Sequence, residues 1–427
     1  MSREPIGGLR PSRRRLFTAA GGLLAAAGAG FTARASSQAT DPAPNNNIET
    51  FWGPHQAGIL TPTQSHTYFA TFDLTTTKRD DVADLLRLWT NAAARLTRGL
   101  PTEPVTSNDT YDPGTETITP DSGDALGLPP ARLTLTFGFG SGLFIKNEKD
   151  RYGLAAQRPE AFVDLPKFNG DQLVPALTGG DLSIQACADD PQVAFHAVRQ
   201  LAQIAFGIAE IRWAQAGFSS KPSDGTTPRN LMGFKDGTQT PQIVDTVVWV
   251  NEGPKWMRGG SYLVTRRIRI ALEHWDRTKI DFQEQTVGRH KLSGAPLGLK
   301  DEFEPLGLDR TDADENPIIP EHAHVRMANA ANVGSSEILR RAYSYNDGVN
   351  FVAERWPPWR QAMEYDAGLF FICYQNDPRT GFIKMFEEMA KFDMLNQFTT
   401  HNGSGLFACP AGAREGEFIG AGLFDAA

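Results

Sequence analysis

The sequence predicts an α+β protein built from two similar halves, each with an antiparallel sheet covered by helices. Two observations support this fold class. Strand patterns alternate with helix patterns along the chain, and the alternation runs through twice. With 427 residues, 40% of them hydrophobic, the chain is also long enough to bury a core and an enclosed pocket.

The first half, residues 64–216, opens with a segment rich in β-branched and aromatic residues, which is typical of a strand. Apolar residues then recur at helical spacing from Val82 to Leu96, and an Asp-Asp pair ahead of Pro191 favours the start of another helix. In chain order the predicted elements are a strand at 66–74, a helix from 82 to 96, strands at 132–139 and 182–188, a helix at 191–206 and a strand at 211–214.

The second half, residues 255–427, repeats this alternation, and each half therefore resembles a ferredoxin-like sandwich. A turn-rich segment, residues 217–254, connects the halves, and residues 288–320 form another long irregular stretch. Loops of this length inside a compact chain are usually functional or disordered. The predicted elements are a strand at 261–270, a helix beginning at 272–277, a strand at 368–374 and a helix at 381–398.

The N-terminus has the layout of an export signal. The basic segment SRRRLF at residues 12–17 precedes a short Ala/Gly-rich apolar run, which ends at Ala33-Arg34-Ala35. That pattern is typical of a twin-arginine signal with a cleavage site after Ala35, and the apolar run is too short for a spanning helix. We expect residues 1–35 to be removed, residues 36–63 to form an extended leader, and the mature protein to be periplasmic or extracellular without a membrane span.

Charge and cysteine content exclude some classes of function. Removing residues 1–35 changes the formal net charge from −8 to −13, because six arginines and Glu4 are lost. Such an acidic protein is repelled by nucleic acids and anionic lipids, so neither is an expected partner. The three cysteines are far apart in the sequence, which favours small buried residues over a disulfide framework or a thiolate metal site.

Three segments carry residues suited to chemistry. The first is GFKDG at residues 233–237, in which two glycines bracket Asp236. Glycine permits a positive φ and a close approach of the backbone to a flat ligand, so this segment can present Asp236 to a pocket. Taken alone, the same segment is more typical of an Asp-Gly turn on the surface.

The second segment, EHAHVR at residues 321–326, places His322 and His324 at alternate positions after an irregular loop. Imidazole is a standard axial ligand of haem iron, whereas a zinc site lacks both an HExxH helix and a nearby cysteine pair. The third segment, ILRRAYSY at residues 338–345, places Arg340 and Arg341 between apolar and aromatic residues. A buried arginine stays charged and can stabilise a developing anion. Ordinary core or surface roles stay open for both pairs.

The three segments occur in the order found in dye-decolorizing (DyP-type) haem peroxidases, and from about Gln64 to the C-terminus the sequence resembles the exported branch of that family. This branch includes the deferrochelatase/peroxidases of bacterial iron uptake. A fourth matching segment is LFFICYQ at residues 369–375. Four ordered segments are far more specific than one, and the resemblance implies one haem b per chain, bound mainly by the C-terminal half.

The resemblance implies that Asp236 is the distal acid-base group, Arg340 the distal arginine and His324 the axial ligand of the iron. His324 is chosen over His322 because it directly precedes Val325-Arg326, and Arg340 over Arg341 because it follows Ile338-Leu339. Asp377 is implied as the carboxylate that orients the histidine. The other implied haem contacts are Gly237, Thr238, Gln239, Asn329, Ala330, Ala331, Leu369 and Phe371.

The sequence departs from the family pattern at two places. Ala342 stands where related exported members commonly have Gly, and Ala330-Ala331 replaces an expected Pro-Arg after Asn329. We therefore expect the pocket to differ in shape there. Electrons from bulky donors are expected to enter through aromatic side chains, although ordinary packing is the competing role for each. The candidates are Trp256, Trp275, Trp356, Trp359, Tyr343 and Tyr345.

The expected function is a peroxidase that reduces hydrogen peroxide and oxidises organic donors such as dyes or phenolics. An ordinary aspartate has a pKa near 3.9, so an Asp-based proton transfer predicts an acidic optimum. The alternatives are an iron-acquisition protein that releases iron from haem or carries porphyrin, and an exported binding module without a cofactor. Further expected partners are the twin-arginine export machinery and iron-uptake components, and homo-oligomer formation stays open.

Overall fold

The structure is a computed structural model that describes residues 47–103, 127–220, 222, 224–238, 244–353 and 361–425. The predicted signal therefore lies outside the described residues, as do residues 36–46 of the predicted leader, Gln239, Trp356 and Trp359. The strands in the described residues are β1 (His66–Leu74), β2 (Thr134–Gly140), β3 (Leu182–Ala188), β4 (Ala209–Phe218), β5 (Ser261–Ile270), β6 (Leu339–Arg340), β7 (Tyr343–Ala353), β8 (Gln361–Gln375) and β9 (Thr399–Cys409).

The helices in the same part of the chain are mostly short, and the two longest belong to the first half. They are α1 (Arg79–Leu96), α2 (Ser141–Phe144), α3 (Pro191–Ile204), α4 (Val244–Val248), α5 (Leu272–Trp275), α6 (Ile280–Val287), α7 (His324–Met327), α8 (Ala330–Val333), α9 (Lys384–Phe392) and α10 (Ala421–Asp425). None of the helices in the described ranges is long and apolar enough to cross a bilayer.

The first sheet has the order β4-β1-β3-β2, with every neighbouring pair antiparallel. Helices α1 and α3 follow β1 and β3 and contact each other. Their apolar stripes, which include Val82, Leu85 and Trp89 of α1 and Leu201 of α3, join one core with Phe72 of β1. This strand order and these two crossover helices are those of a ferredoxin-like sandwich.

The second sheet has the same order, β9-β5-β8-β7, and is also antiparallel throughout. Strand β6 pairs with the end of β8, where Arg340 lies opposite Cys373. Helix α9 occupies the place of the second crossover helix and packs Met385 and Phe386 against Val264 and Cys373. The predicted fold of two ferredoxin-like halves is therefore confirmed.

The two sheets share a core and meet at two edges. Phe69 and Trp213 of the first sheet pack with Phe370, Ile372 and Phe407 of the second. Strand β2 pairs with β9, and β4 pairs with β7, in each case over only one or two residues. Residues of β1 are consequently buried on both faces, between the helices and the second sheet.

The predicted element bounds agree best where the strand pattern is strong. Strands β1, β3 and β5 have the predicted bounds, whereas β7 and β9 were not predicted. The helix predicted at 381–398 is wrong, because α9 ends at Phe392 and Asp393 has an extended backbone with φ −63° and ψ 123°. Asp393 instead caps a short 3-10 turn, Met394–Gln397, by accepting a hydrogen bond from the Leu395 N–H.

Candidate active site

The GFKDG segment forms a closed turn. The Asp236 N–H donates to the Pro228 carbonyl at 2.9 Å, and Arg229 forms a bridge with Lys235. Gly233 and Gly237 have φ values of +82° and +109°, a region that residues with a Cβ rarely adopt. The two glycines thus turn the chain on both sides of Asp236, as the sequence predicted.

Phe234 anchors this turn to the second half. Its side chain is buried and packs against Trp275 with the ring planes at 65°, in a cluster that also contains Met232 and Ile270. The Trp275 indole N–H donates to the Met232 carbonyl at 3.0 Å. The apolar residue of the motif therefore points into the core, while Asp236 keeps 26% of its side-chain surface exposed.

A second loop holds the turn from the other side. Glu302, whose side chain is only 8% exposed, forms an ion pair with Lys235 and accepts a hydrogen bond from the Thr238 hydroxyl at 3.0 Å. Burial alone would raise the pKa of Glu302, but hydrogen bonds from Lys235, Thr227 and Thr238 lower it. The carboxylate thus contacts residues on both sides of Asp236.

The two neighbouring arginines have different environments. Arg340 donates from Nη1 to Asp236 Oδ1 at 3.2 Å, and its side chain is 36% exposed. Arg341 is buried and donates to the Thr61 carbonyl and to the Gln64 side chain. Arg340 is the last residue of β6 and extends to Asp236, whereas Arg341, the next residue, extends into the core.

His324 is the first residue of α7, and its Nδ1 lies 2.7 Å from Asp393 Oδ2. Burial opposes protonation of the ring, yet the charge and hydrogen bond of Asp393 outweigh it, so the pKa of His324 is raised. Since Nδ1 is engaged, Nε2 is the ring nitrogen left for a metal. His322 is exposed and stacks on Phe392 with the ring planes at 16°.

The expectation for Asp377 is corrected by this contact. Asp377 accepts hydrogen bonds from the Arg379 side chain and backbone at the start of the turn that leads into α9. The carboxylate beside His324 is Asp393, which is 2% exposed. A helix-breaking Asp is a favourable N-cap of a new turn, so this signal was present in the sequence although the prediction continued the helix through it.

One face of β8 borders an open space. Phe370 and Ile372 are completely buried between the sheets, whereas the alternate residues Leu369 and Phe371 stay partly accessible. His324 lies deep within the protein but keeps 29% of its side-chain surface accessible. The charges of Arg340 and Asp236 both act on the His324 ring. A side chain as deep in the protein as that of His324 can keep accessible surface only if an internal space lies beside it.

These residues fit the implied haem. An imidazole with one ring nitrogen held by a carboxylate is the usual arrangement of a metal-binding histidine. The apolar residues Leu369 and Phe371 suit a flat macrocycle. The described residues contain no group of three or more His, Cys, Asp or Glu side chains arranged to hold a bare metal ion.

The remaining implied contacts fall into two groups. Asn329 caps α8 by accepting from the Asn332 N–H at 3.0 Å, Ala330 is partly buried, and Ala331 and Gly237 are exposed. The hydroxyl of Thr238 is engaged by Glu302. The structure thus places these residues near the GFKDG and EHAHVR segments, and it does not assign a haem contact to any of them.

Most of the aromatic candidates for electron entry are buried. Trp256, Trp275, Tyr343 and Tyr345 each expose 6% or less of their surface. The Trp256 indole donates to the Gln157 carbonyl at 3.0 Å. Packing in the core, which the sequence analysis gave as the alternative to electron entry, accounts for the positions of these four residues.

Two family models match the chain and together cover most of it. Residues 56–219 match the model described as "Dyp-type peroxidase, N-terminal", and residues 227–414 match "Dyp-type peroxidase, C-terminal". The boundary between the models falls in the connecting segment between the two sheets.

Relatives cover nearly the full chain. A dye-decolorizing peroxidase of Thermobifida fusca is 35% identical over 99% of both chains, and a deferrochelatase of Escherichia coli K12 is 35% identical over 97% of both. Among solved structures, ferric DtpA from Streptomyces lividans has 38% identity and a TM-score of 0.77, covering 90% of this chain and 100% of that one. A DyP-type peroxidase from Cellulomonas bogoriensis has 36% identity and a TM-score of 0.78, covering 90% and 99%.

The fold, the ordered motifs and these matches agree with one another. Both halves match their own family model, and the relatives are matched along their whole length. This chain therefore belongs to the Dyp-type peroxidase family and is a haem peroxidase, an oxidoreductase that uses hydrogen peroxide as its electron acceptor.

Proposed function

We propose that Asp236 is the proton-transfer group of this peroxidase, that Arg340 stabilises the negative charge that develops beside it, and that His324 would bind the iron of the haem. The observation that carries the proposal is the contact of 3.2 Å between Arg340 Nη1 and Asp236 Oδ1, together with the contact of 2.7 Å between His324 Nδ1 and Asp393 Oδ2. Haem, when bound, supplies the iron that binds peroxide and accepts the oxidising equivalents.

Asp236 has the geometry of a general acid-base. Its backbone N–H is held by the Pro228 carbonyl, and Lys235 is held by Glu302, so the carboxylate is presented from a fixed turn. It takes a proton from one oxygen of hydrogen peroxide and returns that proton to the other oxygen, which leaves as water. The carboxylate carries out both proton transfers from the same position.

Arg340 complements this proton transfer. An arginine guanidinium carries a positive charge and several N–H donors, so it attracts the negative charge that builds on the departing oxygen. Its contact with Asp236 also keeps the carboxylate turned toward the same space. Arg341, by contrast, is committed to the core and serves the fold.

His324 and Asp393 form the proximal arrangement. Asp393 is almost fully buried and accepts from Nδ1, which fixes the tautomer with the lone pair on Nε2 and makes the ring a better electron donor. Replacing His324 with Ala tests the assignment. Loss of haem, or a displaced Soret band, is expected, and normal haem content with an unchanged Soret band would overturn it.

The peroxidase chemistry itself is tested with a dye. Wild-type holoprotein should oxidise an anthraquinone dye only when hydrogen peroxide is present, with an optimum at acidic pH. Asp236→Asn and Arg340→Ala should lose this turnover while keeping the Soret band. A fastest turnover above neutral pH would contradict the proposed role of an aspartate.

Release of iron from haem is a second candidate function. The observation that favours it is the set of relatives named deferrochelatase, at 35% identity over 97% of this chain. Iron leaving the holoprotein under reducing conditions is measured with a ferrous chelator, and the remaining porphyrin by its fluorescence. Iron release that persists in Asp236→Asn and Arg340→Ala would assign the protein to iron acquisition, with iron-uptake components as its partners.

Export by the twin-arginine route is part of the proposal. Its support is the SRRRLF segment at residues 12–17 followed by the short apolar run. Replacing Arg13 and Arg14 together with lysine should keep the full-length, haem-loaded protein in the cytoplasm. Equal amounts of processed variant and wild type outside the cytoplasm would contradict this route.

A further inference from the structure

A cavity of about 580 Å³ lies against β5 and β9 of the second sheet, on the same face of that sheet as Phe371. Pockets for small organic ligands have volumes of roughly 300–1,000 Å³, so this cavity has the size of a ligand site. Its walls come from the loop after α2, from the segment before β3, and from β5 and β9. The residues that line it include Val163, Leu165, Leu173, Arg266, Ser404 and Leu406.

The inner wall of the cavity contains a buried ion pair. Arg266 is 0% exposed and pairs with Asp171, which is 1% exposed. Arg266 also donates to His401 Nδ1 and to Ser404 Oγ, both at 3.0 Å. Because the Ser404 oxygen accepts from Arg266, the Ser404 hydroxyl proton can be donated to the oxygen of a ligand.

The charges of the lining define the class of ligand. Asp164, Lys167, Asp171 and Arg266 are the charged side chains among the lining residues, two acidic and two basic. Arg266 is already neutralised by Asp171, so the wall offers hydrogen bonds without an excess charge. Phe162, Leu165 and Leu406 supply apolar surface. A neutral aromatic alcohol fits this combination better than a carboxylate or a cation does.

The strand register places the cavity close to the proposed haem space. Arg266 lies opposite Phe371 on β8 and opposite Ser404 on β9, so the three side chains share one row and one face of the sheet. Adjacent strands are about 4.8 Å apart, and the row from Phe371 to Ser404 therefore spans roughly 10 Å. Electrons tunnel through packed protein over such a distance.

Aromatic side chains fill the partition between the two spaces. Phe371 lies 5.8 Å from Phe382, Phe382 lies 5.2 Å from Phe386, and Phe386 lies 4.7 Å from Phe168, measured between ring centroids. The Arg266 guanidinium lies over the rings of Phe168 and Phe386. A molecule in the cavity is thus kept away from peroxide.

We propose that this cavity binds a small neutral phenol as an electron donor, with its ring against Leu165 and Leu406 and its hydroxyl bonded to Ser404. The proposal rests on the proposed placement of haem beside Phe371. Each phenol loses one electron to the peroxide-oxidised enzyme and one proton to water at the cavity mouth, forming a phenoxyl radical. Two phenols and one hydrogen peroxide give two phenoxyl radicals and two waters.

The test compares two neighbouring substitutions. Leu173 lines the cavity, whereas the next residue, Val174, is 42% exposed and does not. In Leu173→Trp holoprotein the added indole fills the cavity, so the Kd and the KM for 2,6-dimethoxyphenol should rise at least tenfold. Val174→Trp, which adds the same indole outside, should match the wild type. Val163→Phe replaces Leu173→Trp if that variant does not fold.

Binding is measured by calorimetry on holoprotein without peroxide, so it is read independently of turnover. The KM for hydrogen peroxide, the Soret band and the rate with a bulky anthraquinone dye should be unchanged in Leu173→Trp. Equal phenol Kd and KM in wild type, Leu173→Trp and Val174→Trp would overturn the donor site. Asp236→Asn should still bind the phenol while losing turnover, which separates failure of the catalytic proposal from failure of this one.

Discussion

Asp236 is the residue whose role depends most on its surroundings. In the sequence it is one carboxylate in an Asp-Gly turn, and only the order of the motifs pointed to catalysis. In the structure Arg340 contacts it, Glu302 holds the residues on either side, and Phe234 anchors the turn. The carboxylate is therefore set in a fixed turn that faces an internal space.

Asp236→Asn keeps the shape of the side chain but removes the proton-accepting oxygen. General acid-base groups contribute about 10²- to 10⁴-fold in rate, so kcat/KM for hydrogen peroxide should fall by roughly this factor. Asp377→Asn is the matched control, because Asp377 pairs with Arg379 and not with the site. A loss in Asp377→Asn as large as that in Asp236→Asn would contradict the assignment.

Asp393 is expected to control how firmly haem is held. Asp393→Asn weakens the hydrogen bond to His324 Nδ1, and loss of such a partner typically costs about 10- to 100-fold in metal affinity or activity. Transfer of haem to apomyoglobin should be correspondingly faster than from the wild type. If the transfer rate were unchanged, the contact of 2.7 Å would have no bearing on haem retention.

The sequence favoured one residue of each His and Arg pair and offered Asp393 as a possible N-cap, but it did not show that Asp393 contacts His324. Arg340 and His324 were chosen by the residues beside them, and in the structure Arg340 contacts Asp236 and His324 contacts Asp393. The partner of His324 is 69 residues away in the sequence. Its position depends on the break after α9, which is a tertiary feature, and helical periodicity continues across that break.

At the level of elements, the loop from residue 288 to 304 positions the GFKDG turn. Its Arg289 is buried and donates to the carbonyls of Gly294 and Glu302 at 2.7 and 2.9 Å. Arg229 donates to the Gly233 carbonyl and also to those of Lys291 and Leu292. The irregular stretch predicted from the sequence is thus a fixed support of the turn.

Glu302→Gln should show how pH acts on this support. The pKa of Glu302 is lowered in the folded protein, so its stabilising effect is fully present above the ordinary glutamate pKa and is lost as pH falls through the lowered value. Urea unfolding should therefore give the largest deficit of the variant near neutral pH, and the deficit should shrink below about pH 4.

The exposed Glu321 provides the control for this experiment. Glu321→Gln should unfold like the wild type at every pH. A deficit of Glu302→Gln that grew as the pH fell would reverse the expected sign and reject the role of the carboxylate in docking the loop.

The strands β1, β3 and β5 were easier to predict than the strands β7 and β9. β1, β3 and β5 lie in the centre of their sheets or between two sheets, so they combine β-branched, aromatic and apolar residues. β9 carries His401, Asn402, Gly403 and Ser404, whose polarity resembles a loop. His401 and Ser404 accept hydrogen bonds from Arg266, and Ser404 lines the cavity, contacts that no local sequence pattern reveals.

At the scale of the whole molecule, the neighbouring residues Arg340 and Arg341 have different roles: Arg341 stabilises the fold, and Arg340 belongs to the proposed active site. Arg341 belongs to the second sheet but bonds to Thr61 and Gln64, and Gln64 donates to the Arg132 carbonyl of the first half. This buried side chain therefore joins the two halves. Arg340, next to it, contacts only the site residue Asp236 among its described hydrogen-bond partners.

Arg341→Ala leaves the acceptor groups of Thr61 and Gln64 buried, and an unsatisfied buried polar group costs about 1–3 kcal/mol. The free energy of unfolding, measured with urea, should fall by at least this amount. Arg340→Ala should lose turnover with little change in unfolding. These two roles would be contradicted if Arg340→Ala lowered the free energy of unfolding and Arg341→Ala lost turnover without a change in unfolding.

The strand order also determines when the site can exist during synthesis. β5, the first strand of the second sheet, lies between β8 and the last strand, β9. His324 needs Asp393, which directly precedes β9 in the chain. A growing chain therefore lacks both the sheet and the proximal contact until nearly its last residues have left the ribosome. Haem binding at the proposed site therefore requires the strands and the Asp393 segment of the second half to have been synthesised first.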